Sequence, residues 1–349
     1  MEFRVFKQVP RIIYGEGSIR RLRELLPSHA CKGIIIIDNE VTSKIPKFLD
    51  EDLDIKLYEF DAKKSEPYTW QIDQMVAELK DADKLDFIVG IGGGSTMDVA
   101  KSISICIKNA VGSETLQGWD LVAVPGIYKI GIPTIFGSGS EASRTAVLNN
   151  GKKKQGINSD HSMFDAIILD PDLSHGIDQN TKFYTAMDCY IHCVESVSGT
   201  MINQLAEGYA TKALQYCDEY FENNMHDEGL ICVGSYYGGV SIVNSEVGIC
   251  HALSYGLSIE FGLRHGLANC VVFKTLEEYY GAYVSKFNSW LNQYNITLPE
   301  KLCAGIDEAK LERMIAQTML MERPLLNALG EDWRQVLTPE KIANLYKKM

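Results

Sequence analysis

The sequence contains no run of 18 apolar residues, and it does not open with a basic segment followed by an apolar stretch. A membrane-spanning helix needs about 20 consecutive apolar residues. A secretory signal peptide needs a basic segment ahead of an apolar core. We therefore expect neither a membrane span nor a signal peptide, and we expect a cytoplasmic protein.

Positive charge is also scarce. The chain has 34 Lys and Arg residues against 46 Asp and Glu residues, a formal net charge of −12. Nucleic acids and anionic membranes are bound by basic patches, so the balance argues against both partners. It does not argue against an acidic small molecule, because one local basic pocket can override the net charge.

Cysteines lack the spacing of a disulfide or zinc-finger framework. There are nine, an odd number, and the Cys189/Cys193 pair has no second such pair downstream. This pattern predicts reduced, mostly buried thiols.

No internal repeat or low-complexity segment interrupts the 349 residues, a length that favours two domains. In the first half, short apolar runs alternate with helical patterns, which is typical of a doubly wound parallel sheet. The apolar runs are 33–37, 87–91, 129–133 and 166–169, and the helical patterns include 19–26 and 70–79. Asn149-Asn150-Gly151 predicts a hairpin between 145–148 and 154–157.

The second half changes to long amphipathic segments with few β-branched runs. The segments 181–198, 203–222 and 309–320 suit helices. Asp170-Pro171 is a natural break, because the residue before proline disfavours helix. We therefore predict an α/β domain over 1–170 and a helical domain over 171–349.

A glycine turn follows one predicted strand and opens a helix, in the segment 90–101 (GIGGGSTMDVAK). Glycines allow a ligand to approach closely, the helix start offers free N–H groups, and Ser95 can cap the helix or donate to a phosphate. The spacing is not G-x-G-x-x-G, so a tight turn without a ligand is the alternative.

Asp38 ends an earlier strand and could accept hydrogen bonds from an adenosine ribose. Its charge would repel the 2′-phosphate of NADP, so this residue favours NAD. It could instead be an ordinary turn residue.

A second polar loop, 133–141 (PTIFGSGSE), follows another strand. Thr134, Ser138 and Ser140 offer hydroxyl groups, and the lysine run 152–154 follows in the hairpin. A lysine run is usually solvated, although one of the three could reach a ribose or a phosphate.

Two clusters carry metal-ligand side chains: Asp188 with His192, and His251 with His265. Residues i and i+4 of a helix share a face, so the first pair projects together. Each cluster alone is weak evidence, since such pairs are often surface or core residues. Together, three imidazoles and one carboxylate predict a site for Fe²⁺ or Zn²⁺, at which a substrate alcohol could be activated.

Taken together, the glycine turn, the hydroxyl loop and the two clusters resemble the iron-containing (group III) alcohol dehydrogenases over essentially the whole chain. The resemblance implies a dehydroquinate synthase-like fold, with a dinucleotide-binding domain before an all-helical metal-binding domain, and commonly a homodimer. It implies NAD(H) contacts from six residues: Asp38, Gly93, Gly94, Ser95, Thr134 and Ser138. It also implies a lysine near the nicotinamide ribose, at Lys154, and metal ligation by the quartet Asp188, His192, His251 and His265.

One position departs from the family pattern. Ordinary members carry a histidine four residues after the third ligand, whereas this chain has Tyr255. Tyr255 is either a weak proton donor or a space-filling residue. Several segments, including LQGWDLVAVPGIYKIGIPT and RPLLNALG, resemble the branch that oxidises the C8 hydroxyl of 3-deoxy-D-manno-octulosonate (Kdo) with O₂ as acceptor and a tightly held nicotinamide. A downstream aminotransferase then makes the 8-amino sugar for lipopolysaccharide.

An acidic sugar needs a cationic contact, for which Arg144 and Arg264 are candidates; a structural ion pair is the alternative for each. The main alternative function is an ordinary NAD-dependent alcohol or polyol dehydrogenase. A lyase of the dehydroquinate synthase type would need a phosphorylated substrate and a richer basic pocket than the sequence shows. A silent binding protein is disfavoured because all four ligand positions are intact.

Overall fold

The computed structural model describes residues 5–28, 32–44, 53–62, 66–79 and 84–349. Two compact units divide the chain, Met1–Ile177 and Asp178–Met349. The division falls slightly after the boundary that we predicted at residue 170.

The first unit is built on a six-stranded parallel sheet. Its strands are β1 (Ile12–Tyr14), β2 (Lys32–Asp38), β3 (Asp54–Phe60), β4 (Phe87–Gly92), β6 (Tyr128–Pro133) and β9 (Ala166–Leu169), in the order β1-β9-β6-β4-β2-β3. Within the described ranges, the α-helices of this unit are α1 (Leu22–Leu25), α2 (Thr69–Glu78) and α3 (Gly94–Asn109). The predicted parallel sheet is confirmed.

Strand β2 shows why an apolar run without alternation forms a central strand here. Ile34 and Ile36 pack into one hydrophobic cluster with helix α3, whereas Ile35 and Ile37 pack into a second cluster on the other face. Both faces of the sheet are therefore covered, as a doubly wound sheet requires.

A second, three-stranded sheet contains β5 (Gly118–Trp119), β7 (Thr145–Asn149) and β8 (Lys154–Asn158), in the order β5-β8-β7. Strands β7 and β8 are antiparallel, and Gly151 in their turn has φ of +85°. The predicted hairpin is thus confirmed, and it contributes to this small sheet and not to the parallel one.

The second unit contains helices alone. They are α4 (Gln179–Ser198), α5 (Gln204–Glu222), α6 (Glu228–Asn244), α7 (Ile249–Phe261), α8 (His265–Phe273), α9 (Glu277–Tyr280), α10 (Ala282–Gln293), α11 (Glu308–Leu320), α12 (Glu322–Leu329), α13 (Trp333–Val336) and α14 (Pro339–Lys347). Helix α4 lies at the centre and packs against α5, α6 and α8. Within the described ranges, no helix has the length and apolar character needed to cross a membrane.

Candidate metal centre and nucleotide site

Helix α4 presents the first two residues of the predicted metal site. The side chain of Asp178 caps its N-terminus by accepting the Thr181 N–H at 3.0 Å. Asp188 and His192 lie one turn apart in the middle of the helix, and both are buried. The neighbouring Cys189 is also buried, and its thiol donates to the Gly234 carbonyl. It therefore belongs to the core, as predicted.

Helices α7 and α8 supply His251 and His265. Gly262 ends α7 with φ of +65°, a left-handed conformation that glycine adopts without strain. Helix α8 then begins against α4, where a Cβ on Gly266 would lie 2.7 Å from the Tyr184 carbonyl oxygen. The missing side chain at residue 266 thus lets the N-terminus of α8 approach α4 closely enough for His265 to join the site.

The four side chains converge on one point. From Asp188 Oδ1, the distances to the Nε2 atoms are 3.4 Å for His251, 3.6 Å for His265 and 3.8 Å for His192. One ligand atom from each residue lies within 4.8 Å of the other three. Donors bonded to a single ion at about 2.0–2.2 Å stand roughly 3–4 Å apart. The donor set and its spacing therefore fit one Fe²⁺ or Zn²⁺ ion.

Charge within the cluster is strongly coupled. Burial would raise the pKa of Asp188, but the imidazoles of His192 and His265 outweigh burial and hold that pKa well below its usual value. Burial opposes protonation of His251, yet the carboxylates of Glu195 and Asp188 raise its pKa to about 9. Burial lowers the pKa of His192. A cation bound between these side chains would replace the protons that the carboxylates draw to the imidazoles, because a metal-ligating histidine is neutral.

Two residues that we did not predict form hydrogen bonds with members of this quartet. The Asn269 amide nitrogen donates to Asp188 Oδ1 at 2.6 Å and lies 3.1 Å from His251 Nε2. The Glu195 carboxylate lies 2.5 Å from His251 Nδ1. Both residues follow ligands at helical spacing, Asn269 one turn after His265 and Glu195 two turns after Asp188. That periodicity was the available sequence signal.

Tyr255 and Arg264 lie beside the quartet. The Tyr255 ring packs edge-on against His265, with centroids 5.8 Å apart, and it is 8% exposed. Arg264 is exposed and immediately precedes the ligand at the start of α8. The structure thus brings Tyr255 to the predicted site and leaves the Arg264 side chain open to solvent.

The glycine turn lies at the carboxyl end of β4. Strands β2 and β4 are neighbours, with Ile37 paired to Ile91, so Asp38 and Gly92 end at the same edge of the sheet. The chain runs outward from β2 to β3 and then returns to β4 on the other side of β2. Ligands of open α/β sheets bind at such a switch point. The predicted nucleotide site therefore has the expected location in the sheet.

The glycines of this turn are needed because neighbouring side chains lie close to them, and not because the backbone has an unusual conformation. None of the three residues 92–94 has a positive φ. A Cβ on Gly92 would lie 2.5 Å from Thr96 Oγ1, and one on Gly94 would lie 2.9 Å from Ser138 Oγ. Our assignment of Ser95 as the helix cap was wrong. Gly93 is the N-cap, because α3 begins at Gly94 and places Ser95 inside the first turn, where N–H groups are free to bind an anion.

The buried amine of Lys101 binds the end of the polar loop 133–141, called the hydroxyl-rich loop below, and the residues that follow it up to Thr145. Its Nζ donates to the carbonyl oxygens of Ser140 (2.6 Å), Thr145 (2.9 Å) and Ser143 (3.2 Å). Burial lowers the pKa of Lys101 to about 8, and the charge of Asp98 opposes that shift. Within the same loop, the Thr134 N–H donates to the Gly92 carbonyl at 3.1 Å. Thr134, like Ser138, is thus held against the glycine turn.

The two remaining predicted cations of this unit have carboxylate partners. Lys154 Nζ lies 2.5 Å from Glu66 Oε1. Arg144 is buried and pairs with Asp120 and Asp160. For Arg144, the structure therefore shows the ion pair that we gave as the alternative to substrate binding.

Comparison with known proteins identifies relatives of both units. Residues 10–171 match the family described as iron-containing alcohol dehydrogenase. Residues 182–328 match the C-terminal part of the Fe-containing alcohol dehydrogenase family.

Two relatives of known activity align with most of this chain at modest sequence identity. A sulfoacetaldehyde reductase from Bilophila wadsworthia is 29% identical, with 74% of this chain and 70% of that protein aligned. A 4-hydroxybutyrate dehydrogenase from Clostridium kluyveri is 28% identical, with 88% of this chain and 84% of that protein aligned.

Solved structures share the fold. An iron-containing alcohol dehydrogenase from Thermotoga maritima has a TM-score of 0.83 at 23% identity, covering 98% of both chains. A sulfoacetaldehyde reductase from Bifidobacterium kashiwanohense in complex with NAD⁺ has a TM-score of 0.82 at 18% identity, covering 99% of this chain and 98% of that chain.

Proposed function

Because this chain belongs to the iron-containing alcohol dehydrogenase family, we propose that it oxidises a primary alcohol of an acidic sugar, the C8 hydroxyl of Kdo, to the aldehyde. As a member of that family it is an oxidoreductase acting on CH–OH groups, with a divalent metal ion and NAD(H) as cofactors. The observation that carries the oxidoreductase part of this proposal is the convergence of four possible ligand atoms from Asp188, His192, His251 and His265.

In this proposal each part of the chain has a defined task. The quartet holds the ion, and the turn at Gly93 and Gly94, with Ser95 and Thr134, holds the dinucleotide. When bound, the ion would supply a Lewis acid that lowers the pKa of the substrate hydroxyl, and the nicotinamide would supply the hydride acceptor. Tyr255, which packs on His265, is either a proton donor or a space-filling ring beside that ligand. With O₂ as final acceptor, one alcohol and one O₂ give one aldehyde and one H₂O₂.

Support for an acidic substrate comes from two directions. Two relatives are named for anionic substrates, sulfoacetaldehyde and 4-hydroxybutyrate. Arg264 is an exposed cation next to a ligand, and we assign it to the substrate carboxylate. A hydrogen bond between charged groups contributes about 1.5–3 kcal/mol. Arg264→Gln should therefore raise KM for the acid by roughly 10- to 100-fold and leave KM for a neutral alcohol unchanged.

The control for this variant is Arg313→Gln, which removes a surface guanidinium that pairs with Glu260 in the same unit. It should leave both KM values unchanged. Equal effects of Arg264→Gln on acidic and neutral substrates would exclude Arg264 as the carboxylate contact.

The acceptor separates the proposal from its main alternative. Protein loaded with Fe²⁺ or Zn²⁺ and supplied with Kdo should consume O₂ and release equimolar H₂O₂. The second candidate is an ordinary NAD-dependent dehydrogenase, which the 4-hydroxybutyrate relative favours. Accumulation of NADH from added NAD⁺, with no O₂ uptake and with 4-hydroxybutyrate preferred to Kdo, would replace the first function by the second.

Tyr255 allows a further test of the acceptor. Tyr255 stands where ordinary family members have a histidine. If this tyrosine is the reason that the bound nicotinamide does not exchange with free NAD⁺, Tyr255→His should increase NADH formation and decrease H₂O₂ release. Tyr255→Phe distinguishes a proton donor, whose loss slows turnover, from a space-filling ring, whose loss of the hydroxyl changes little. Unchanged partitioning between NADH and H₂O₂ in Tyr255→His would separate this residue from acceptor choice.

The proposal also includes a cytoplasmic homodimer whose aldehyde product is consumed by an aminotransferase. Light scattering after size exclusion should give twice the mass of the chain. Coupling to a pyridoxal-phosphate aminotransferase and an amino donor should convert the aldehyde to an 8-amino sugar. A monomeric mass, or an aldehyde that is not a substrate for transamination, would remove the corresponding part.

A further inference from the structure

Glu195 is a fully buried carboxylate on α4 with contacts in two directions. On one side, its Oε2 lies 2.5 Å from His251 Nδ1. On the other side, its Oε1 accepts the Cys250 N–H at 2.6 Å and the Tyr280 O–H at 3.0 Å. The side chain is 0% exposed, so these protein groups, and not water, set its orientation.

The absence of a side chain at residue 248 leaves room for this carboxylate. Gly248 precedes α7, and a Cβ there would lie 2.8 Å from the Tyr280 hydroxyl and 3.0 Å from Glu195 Oε1. A side chain at residue 248 would therefore displace the carboxylate or the phenol. The start of α7 also points the Cys250 N–H at Oε1 of this carboxylate.

This contact fixes the state of one metal ligand. An imidazole that donates from Nδ1 to a carboxylate presents its Nε2 lone pair on the opposite side of the ring. His251 Nε2 is the atom that lies 3.4 Å from Asp188 Oδ1, inside the quartet. By contrast, the Nδ1 atom of the buried His192 has no hydrogen-bond partner among the residues that the structure describes. A hydrogen bond at the second ring nitrogen therefore orients His251, whereas the described residues provide no such bond for His192.

We propose that Glu195, anchored by Tyr280, is the positioning residue of the metal centre: it fixes the tautomer and ring orientation of His251. The inference rests on the metal-binding role of the quartet and is independent of the substrate.

The test measures metal affinity without any substrate. Glu195→Gln keeps the size of the side chain, but it replaces the anion by a neutral amide. Removal of a hydrogen-bonded carboxylate behind a metal-ligating histidine lowers metal affinity about 10- to 100-fold. Competition with a chromophoric chelator for Zn²⁺ or Co²⁺ should show that loss, and the absorption spectrum of the Co²⁺ form should change. Glu228→Gln is the matched control, because Glu228 is a buried carboxylate that pairs with Lys182 elsewhere in the unit.

A second variant covers the case in which Glu195→Gln does not fold. Tyr280→Phe removes only the hydroxyl that donates to Glu195 and should give a smaller loss of affinity in the same direction. The inference is overturned if folded Glu195→Gln binds Co²⁺ with wild-type affinity and spectrum, or, should that variant not fold, if Tyr280→Phe does. Wild-type protein that binds Co²⁺ but does not oxidise Kdo would contradict the proposed substrate and leave this inference standing.

Discussion

Lys101 offers a sharp test of how the hydroxyl-rich loop is held. Its side chain is completely buried, and Nζ reaches three backbone carbonyls and the hydroxyls of Ser140 and Ser143. Asp98, which accepts from Ser140 Oγ at 2.8 Å, lies 4.0 Å from the amine. The substitution Lys101→Met keeps most of the apolar volume and removes every one of these bonds.

The expected cost follows from the groups left behind. Three carbonyls, of Ser140, Ser143 and Thr145, lose a charged donor, and each buried unsatisfied group costs about 1–3 kcal/mol. Asp98 also loses its nearest cation, and breaking a buried charge pair costs about 3–5 kcal/mol. Since the loop can relax and admit water, these costs do not add fully. We expect Lys101→Met to lower the free energy of unfolding by about 3–5 kcal/mol.

Urea unfolding at pH 7 measures this loss, and fluorescence titration with NADH measures the function of the loop. Lys101→Met should weaken NADH binding, because Thr134 and Ser138 belong to the loop that Lys101 holds. Lys152→Met, at an exposed position of the hairpin, should change stability by less than about 0.5 kcal/mol. A loss below 1 kcal/mol in Lys101→Met, with normal NADH binding, would refute the reasoning.

Three further changes have defined outcomes. Gly92→Ala places a Cβ 2.5 Å from Thr96 Oγ1. It should lower the free energy of unfolding in urea by about 1–3 kcal/mol and weaken NADH binding. Wild-type stability and wild-type NADH affinity would contradict the close fit of this turn. Gly266→Ala places a Cβ 2.7 Å from the Tyr184 carbonyl and should weaken Zn²⁺ binding in a chelator competition, whereas wild-type affinity would show that α8 can shift freely. Burial raises the pKa of Glu246 to about 7, above its unfolded value, so the stability from this group is full below about pH 4.5 and is lost as pH rises through 7. Glu246→Gln should remove that loss, at most about 3 kcal/mol, and parallel stability profiles of variant and wild type from pH 4.5 to 8 would contradict it.

The interior of the parallel sheet was predictable from sequence, and its edges were not. The four apolar runs that we predicted became β2, β4, β6 and β9, which are adjacent in the sheet. Their residues are buried on both faces, so the strands consist almost wholly of apolar residues. We did not predict the edge strands β1 and β3. In β3 (DIKLYEF) polar residues are interspersed because much of the strand is exposed, and β1 has only three residues.

The candidate site divides in the same way. The ligand quartet could be predicted because the residue types are rare and their spacing places each pair on helices or their starts. Glu195 and Asn269 were missed because their roles depend on how α4, α7 and α8 pack, and a buried glutamate has no distinctive local pattern. Arg144 shows the opposite case: its residue type suggested an anion site, and its two carboxylate partners became visible only in the fold.

The most direct test of the central claim is metal binding by the quartet, measured as the stoichiometry and affinity of Fe²⁺ or Zn²⁺ on protein stripped of metal. We predict one tightly bound ion per chain, its loss in His265→Ala together with loss of alcohol oxidation, and no change in His175→Ala, which alters an exposed histidine. Full metal binding and full activity in His265→Ala would contradict the account.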